Sequence, residues 1–375
     1  MADNTHRGLA DVVAVSTSIS DIDGQEGRLF YRGYDIHDIA ERISFEECVH
    51  LLQRGTLPTQ AELDGLIADL AADRSLGPTV EALLPHVNAR GTPMEALRTL
   101  ISALAVDDPE AGDSSPEANR RKATRLVAQM PVLVARYDGA RRGTSVPDAD
   151  PELGIAGNFL RQVTGEDPSE RAAEIFDECL VLHADHTMNA STFTARVIAA
   201  TMSDMHSAIT GAMGALRGPL HGGANEAVMN TLSSIDAGVD AVEPFVRTEL
   251  DAGRKLMGFG HRVYKTEDPR ATHLRTMSAE LGELAGDTRY YDMSRRMEQV
   301  VLAEKGLYPN VDFFAATVYH TLGIPTDLFT PVFAVSRMSG WTAHVIEQHE
   351  DNRLIRPDSA YTGPRDQQWV PIGER

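Results

Sequence analysis

Three short segments carry the residues best suited to chemistry: Gly218-Pro219-Leu220-His221-Gly222-Gly223-Ala224-Asn225-Glu226, Gly258-Phe259-Gly260-His261-Arg262-Val263-Tyr264 and Pro309-Asn310-Val311-Asp312-Phe313. Two neutral imidazole donors and one carboxylate base are the minimum set for making and using a carbon nucleophile without a metal. In the first segment proline fixes the approach of the chain. The paired glycines let backbone pass close to a ligand, ahead of a helix opened by Asn225 and Glu226. A histidine beside a helix N-terminus is biased toward its neutral form by the positive dipole end, so its N–H polarises a carbonyl without giving up a full proton.

His261 lies between Gly260 and Arg262, a short loop before Asp268-Pro269-Arg270, a turn signal that brings a guanidinium close. Asp312 precedes the apolar run Phe313-Phe314-Ala315-Ala316, which predicts a helix start under hydrophobic cover. There it serves either as an N-cap or as a desolvated general base. Taken singly, each segment has a plainer reading: a turn with a satisfied histidine, a surface loop with solvated charge, a helix cap.

A metal-dependent alternative rests on His183-Ala184-Asp185-His186, because His-x-x-His on a helix puts two nitrogens on one face. It would make the protein a metallohydrolase. No thiolate or acidic pair stands at ligand spacing nearby, and Met188, Asn189, Ala190 and Ser191 point to close helix packing, so no metal is expected. His206, His320, His344 and His349 lack such a context and read as structural or exposed.

The elements that must position these residues are mostly helices. Ser44 to Glu47 and Thr59 to Glu62 have capping-box spacing. Thr92-Pro93-Met94-Glu95 and Asp167-Pro168-Ser169-Glu170 set an N-cap, a first-turn proline and an N3 glutamate in order. Apolar residues then recur at helical spacing, as at Cys48, Leu51 and Leu52 or Leu63, Leu66 and Leu70. One hairpin is predicted, with Thr17 to Asp23 and Leu29 to Tyr31 flanking Gly24-Gln25-Glu26-Gly27. Strands and helices do not alternate, which argues against a dinucleotide-binding sheet. Segments 107–115 and 137–151 read as surface connectors. There is no repeat of fixed period and no low-complexity tract. The segment 217–321 begins and ends close to the chemical motifs and reads as a unit.

A chain of 375 residues suggests about two or three structural units, and 42% hydrophobic with 24% charged residues reads as globular. No apolar run approaches the ~18 residues of a membrane span. The N-terminus lacks the apolar stretch of a secretory signal, and the only cysteines are Cys48 and Cys179, which points to a reducing cytoplasm. The net charge of -20 comes from 35 basic and 55 acidic residues. Such a surface repels phosphate backbones and anionic lipids, so neither nucleic acid nor membrane is an expected partner. Lysine appears only at Lys122, Lys255, Lys265 and Lys305. An acidic, arginine-rich chain suits a salt-rich cytoplasm, although high-GC coding leaves the same trace.

Together these segments resemble the citrate synthase family. The likeness runs over nearly the whole chain: Asp23-Gly24, Gly27 and Tyr31 to Ile36, then His183 to Ser191, Gly218 to Glu226, Gly258 to Arg270, Tyr308 to Phe313, Ser336-Arg337 and Leu354 to Pro357. No position that carries chemistry departs from the family pattern. The chain lacks the N-terminal extension of the larger bacterial forms, so their allosteric control by NADH is not expected.

The resemblance implies an all-α homodimer. A large domain over 1–216 and 322–375, carrying the dimer interface and the short N-terminal hairpin, would hold a small domain over 217–321 that closes over the substrates. Asp312 would take a methyl proton from acetyl-CoA while His221 donates to the thioester oxygen, and His261 would polarise the ketone of oxaloacetate. Arg270 and Arg337 would grip the substrate carboxylates with His186 helping, and Arg356 would reach in from the partner subunit. Guanidinium groups suit a dianion because each holds a carboxylate bidentately. Lys255, Leu256, Met257 and Gly258 resemble the family's CoA-contacting loop. No cofactor and no metal are implied. The rival inside the family is 2-methylcitrate synthase, which takes propionyl-CoA with the same residues. A non-catalytic relative acting as a binding protein would lack Asp312 or one of the histidines, and all three are present.

Overall fold

The computed structural model describes residues 6–9, 12–87, 91–235 and 237–375. Sixteen α-helices and one small sheet make up its regular structure, apart from short 3-10 turns, so the expected all-α fold is found. Helices start where the caps are legible. Ser44 and Thr59 open Phe45–Arg54 and Gln60–Ala72 with reciprocal capping boxes to Glu47 and Glu62. The Glu95 carboxylate accepts from the Thr92 N–H at 3.0 Å ahead of Pro93–Asp107.

Two expectations about the helices change. In Asp167-Pro168-Ser169-Glu170 the cap is Ser169, not Asp167: its hydroxyl accepts from the Ala172 N–H at 3.2 Å and the helix spans Glu170–His183. A serine directly after the proline satisfies an orphan N–H as well as the aspartate would, and leaves the proline outside the helix. The expected connector 137–151 is helical as far as Arg142, because Pro116–Arg142 continues until Gly143 closes it in a left-handed conformation at φ 68°. Tyr137 is buried there, and the buried Asp138 carboxylate pairs with Arg141 and Arg142 one turn on, which offsets the helix cost of Gly139.

The hairpin is a three-stranded antiparallel sheet, β1 (Ser20–Asp23), β2 (Arg28–Tyr31) and β3 (Tyr34–Asp35), with Ser20 opposite Tyr31. Strand β1 starts later than expected, since the Ser18 N–H is taken by the Glu347 carboxylate at 2.8 Å and leaves the ladder.

The spine of the molecule is Phe329–Glu350, buried on every side from Phe329 to Ile346. A helix buried all round, polar residues such as Ser336, Arg337 and His344 included, has neighbours all round. It packs on Pro116–Arg142, Ala190–Ala199, Phe45–Arg54 and Met205–Leu216. Each large apolar side chain buried this way contributes about 1.5–3 kcal/mol. Five helices within 217–321, namely Ala224–Ser233, Val242–Asp251, Pro269–Ala285, Arg289–Lys305 and Val311–Thr321, pack on one another. No described helix is long and apolar enough to cross a membrane.

Candidate active site

The loops bearing His261 and Asp312 are tied together by backbone. Phe259 and Pro309 form an isolated antiparallel bridge, the Gly260 N–H donates to Tyr308 O at 2.8 Å, and the Asn310 N–H donates to Gly258 O at 2.9 Å. Gly258 is required at this crossing: its φ is 85°, and a Cβ there would meet Val228 Cγ2 at 2.7 Å and Phe313 Cδ2 at 2.9 Å. Asn310 caps Val311–Thr321 by accepting from the Asp312 N–H, so Asp312 stands at the second helical position and is not the cap. His221 follows Met205–Leu216 in a tight turn before Ala224–Ser233. Gly222 is demanded there by packing, because a Cβ would lie 2.4 Å from Leu216 O.

Two of the imidazoles have one nitrogen fixed by a backbone donor. His261 Nδ1 accepts from the Val263 N–H at 3.0 Å and the Tyr264 N–H at 3.2 Å, which places its proton on Nε2. His221 Nε2 accepts from the Ser191 N–H at 3.3 Å and lies 2.8 Å from Ser191 Oγ, which places its proton on Nδ1. Ser191 Oγ is itself held by the Trp341 Nε1–H at 3.1 Å. Burial pushes both rings down to about 4, helped by Arg337 at His221 and by Arg270 at His261. Both are therefore neutral donors near pH 7. His186 is pushed well below its ordinary value by burial, Arg270, His261, Arg337 and His221, and its ring centre lies 5.2 Å from that of His261.

Two guanidinium groups face this set. Arg270 is buried and held bidentately by Asp268, Nε to Oδ1 at 3.0 Å and Nη2 to Oδ2 at 2.8 Å. Burial opposes its charge, but Asp268 outweighs burial and keeps its pKa above the ordinary value. Arg337 donates from Nε to His183 O at 2.7 Å, and burial lowers its pKa to about 10. Asp312 is the complementary group. Its Oδ1 is enclosed and has no hydrogen-bond partner among the described residues, and burial raises its pKa to about 7 against the pull of Arg270 and Arg337. The same two arginines act on His186 and Asp312, with Arg270 also acting on His261 and Arg337 on His221, so these residues form one electrostatic site. It offers neutral donors for developing oxyanions, a half-ionised base, and two cations for an anionic ligand.

A citrate synthase family model, described as its C-terminal domain, matches residues 8–358. The chain is 51% identical to Citrate synthase 2 of Bacillus subtilis, over 98% of this chain and 99% of that one. It is 48% identical to Citrate synthase of Haloferax volcanii over the full length of both. The chain belongs to the citrate synthase family. Its fold matches a citrate synthase of Thermoplasma acidophilum in ternary complex with carboxymethyl coenzyme A and oxalacetate, with a TM-score of 0.92 and 32% identity, over 98% of this chain and 99% of that one. Proteins named 2-methylcitrate synthase are also relatives, at 40–41% identity. As a member of the family the protein is an acyltransferase.

Not every residue singled out in the sequence joins this cluster. Arg356 lies on the exposed tail, paired with Asp358 at 2.8 Å. Lys255 is exposed and Leu256 and Met257 are half-buried, while only Gly258 joins the backbone crossing. The helix Glu170–His183 ends within His183-Ala184-Asp185-His186, so the two histidines do not share a helix face. Asp185 is bound by the Ser20 hydroxyl and the Thr187 N–H, with His344 Nε2 at 3.3 Å, and His183 Nδ1 donates to Cys179 O at 2.7 Å. Among the described residues no group of three or more His, Cys, Asp or Glu is placed to hold a metal. Of the four histidines set aside, His206 and His344 are buried structural groups. The sequence reading missed Ser191, Tyr264 and Trp341, and took Asp268 only as a turn residue.

Proposed function

We propose that the chain condenses acetyl-CoA with oxaloacetate and hydrolyses the resulting thioester to citrate and CoA. The observation that carries this is Asp312: an enclosed carboxylate with one oxygen unpartnered among the described residues and a pKa near 7, sharing its arginines with two neutral imidazoles whose remaining N–H groups have no acceptor among those residues. A thioester methyl is too weak an acid for a carboxylate alone. An N–H at the thioester oxygen, worth about 3–4 kcal/mol in the transition state, must act at the same moment. Asp312 takes the methyl proton and His221 Nδ1–H stabilises the enol oxygen. The enol carbon attacks the ketone of oxaloacetate, whose oxygen takes up negative charge beside His261 Nε2–H. Water then cleaves the citryl thioester and releases CoA. Arg270, Arg337 and His186 hold the carboxylates of oxaloacetate, with Lys255 to Gly258 along the CoA. Every charge-handling step has a protein group, and no metal or cofactor enters.

The helices of 217–321 form a small domain that closes on the large domain 1–216 and 322–375, and closure keeps water out until the carbon–carbon bond exists. Two copies make the working unit. Arg356 serves the partner's site, a reading supported by its exposure on the C-terminal tail, where it pairs with Asp358. The reaction runs in the cytoplasm. The relatives that are 2-methylcitrate synthases favour a second reading, in which propionyl-CoA is the preferred acyl donor. Competing acetyl-CoA and propionyl-CoA for limiting oxaloacetate, with citrate and 2-methylcitrate separated by mass, decides between them. A product pool dominated by 2-methylcitrate overturns the first reading.

A further inference from the structure

Tyr264 lies three residues after His261 and is 3% exposed, with its ring centre 4.7 Å from that of His261 and 5.6 Å from that of His186. Its hydroxyl is 3.2 Å from His186 Nε2, and that nitrogen is its only hydrogen-bond partner among the described residues. Burial and the neighbouring Asp268 keep the phenol protonated, against the opposing pull of Arg270. A buried O–H needs an acceptor, and a neutral imidazole has one pyridine-type nitrogen to offer. If His186 carried its proton on Nε2 instead, the phenol proton would be left without an acceptor among the described residues in a nearly dry site. The hydroxyl therefore donates to Nε2. His186 then keeps its proton on Nδ1, which makes no hydrogen bond to any described residue and is free for a ligand.

We propose that Tyr264 is a positioning residue for oxaloacetate: its hydroxyl selects the Nδ1–H form of His186 and holds that ring where it can donate to a substrate carboxylate. The inference rests on the proposed condensation and deepens it. It gives His186 the constraint that backbone amides give His221 and His261, so all three imidazoles are neutral with one nitrogen occupied by the protein. The constraint on His186 comes from a side chain and is removable by a single oxygen. The Tyr264 hydroxyl acts only through His186, and its loss weakens oxaloacetate binding without touching the proton transfer at Asp312.

The test is Tyr264→Phe, which keeps the ring and removes the hydroxyl, in the wild-type and His186→Asn backgrounds. In the wild-type background the KM for oxaloacetate should rise about tenfold, the worth of one buried hydrogen bond, while kcat changes less than about threefold. The KM for acetyl-CoA should stay unchanged. In the His186→Asn background the same change should add nothing, because the two residues form one unit. Equal effects in both backgrounds, or a fall in kcat with the oxaloacetate KM unmoved, overturn the proposal. An independent readout needs no turnover. Nitrogen-15 spectra of histidine-labelled protein should show His186 protonated on Nδ1 in the wild type and mixed between nitrogens in the variant, whereas an Nε2–H form in the wild type refutes it. A wild-type protein that does not condense the two substrates would refute the proposed function and leave this spectral test standing.

Discussion

Replacing Asp312 with asparagine should abolish turnover and at the same time stabilise the protein, by an amount that depends on pH. The carboxyl titrates at about 7 in the folded protein against 3.8 for an unperturbed aspartate, chiefly because it is buried. A carboxyl whose pKa rises on folding binds its proton more tightly when folded. Folding thus bears no cost from it below about pH 4, and the cost grows as pH rises through the folded value. A difference of about three between the two values sets a ceiling of about 4 kcal/mol. The residue as a whole keeps some contact with solvent, which reduces the expected figure to about 1–2 kcal/mol. Asparagine has nearly the same shape and carries no charge, so it escapes this cost. Asp312→Asn should melt about 2–4 °C above wild type at pH 8, and the gap should close toward pH 4–5. The assay is thermal unfolding of both proteins at matched concentration and scan rate over this pH range, beside kcat and oxaloacetate binding at pH 8. The kcat should fall at least about a hundredfold with oxaloacetate binding retained. A variant no more stable than wild type at pH 8, a gap that does not vary with pH, or more than about a tenth of wild-type kcat would refute the desolvated-base reasoning.

Two further perturbations test the scaffold and the assembly. Gly258→Ala sets a Cβ 2.7 Å from Val228 and 2.9 Å from Phe313 at a φ of 85°. Overpacking and backbone strain should destabilise by about 2–4 kcal/mol, and displacement of Phe313 should carry Asp312 off line and cut kcat about a hundredfold, so steady-state kinetics near wild type would remove the argument for this crossing. Arg356→Ala and His261→Ala should each be inactive as homodimers, yet refolding them together should restore about a quarter of wild-type activity, since random pairing makes half the dimers hybrids with one intact site. A mixture as inactive as its parents, with hybrids visible on a native gel, places Arg356 in its own chain's site.

How much of this was legible in the sequence depended on range. Caps at Ser44, Thr59 and Thr92 are local devices, and the side chains that satisfy them lie three residues away. His221, His261 and Asp312 stood out because glycine, proline and an apolar run announce a tight turn and a covered helix start. The residues that set their proton positions did not. Ser191 meets His221 across 30 positions, Trp341 meets Ser191 across 150, and Tyr264 meets His186 across 78. Nothing in a run of letters marks such pairs before the chain is folded. The spine Phe329–Glu350 has no polar face to give a period, and the composition of 137–142 disguised the end of a long helix whose buried Asp138 pairs within it.

The central claim is that protein groups alone, with Asp312 as base, join an acetyl thioester to oxaloacetate. It is tested most directly by incubating the purified protein, dialysed against EDTA, with carbon-13-methyl acetyl-CoA and oxaloacetate while following free thiol and carbon-13 NMR together. One thiol should appear for each citrate formed, with the label in a new methylene, at a rate unaffected by the chelator and absent in Asp312→Asn. Thiol release without a labelled methylene, or activity lost in EDTA and restored by zinc, would contradict it.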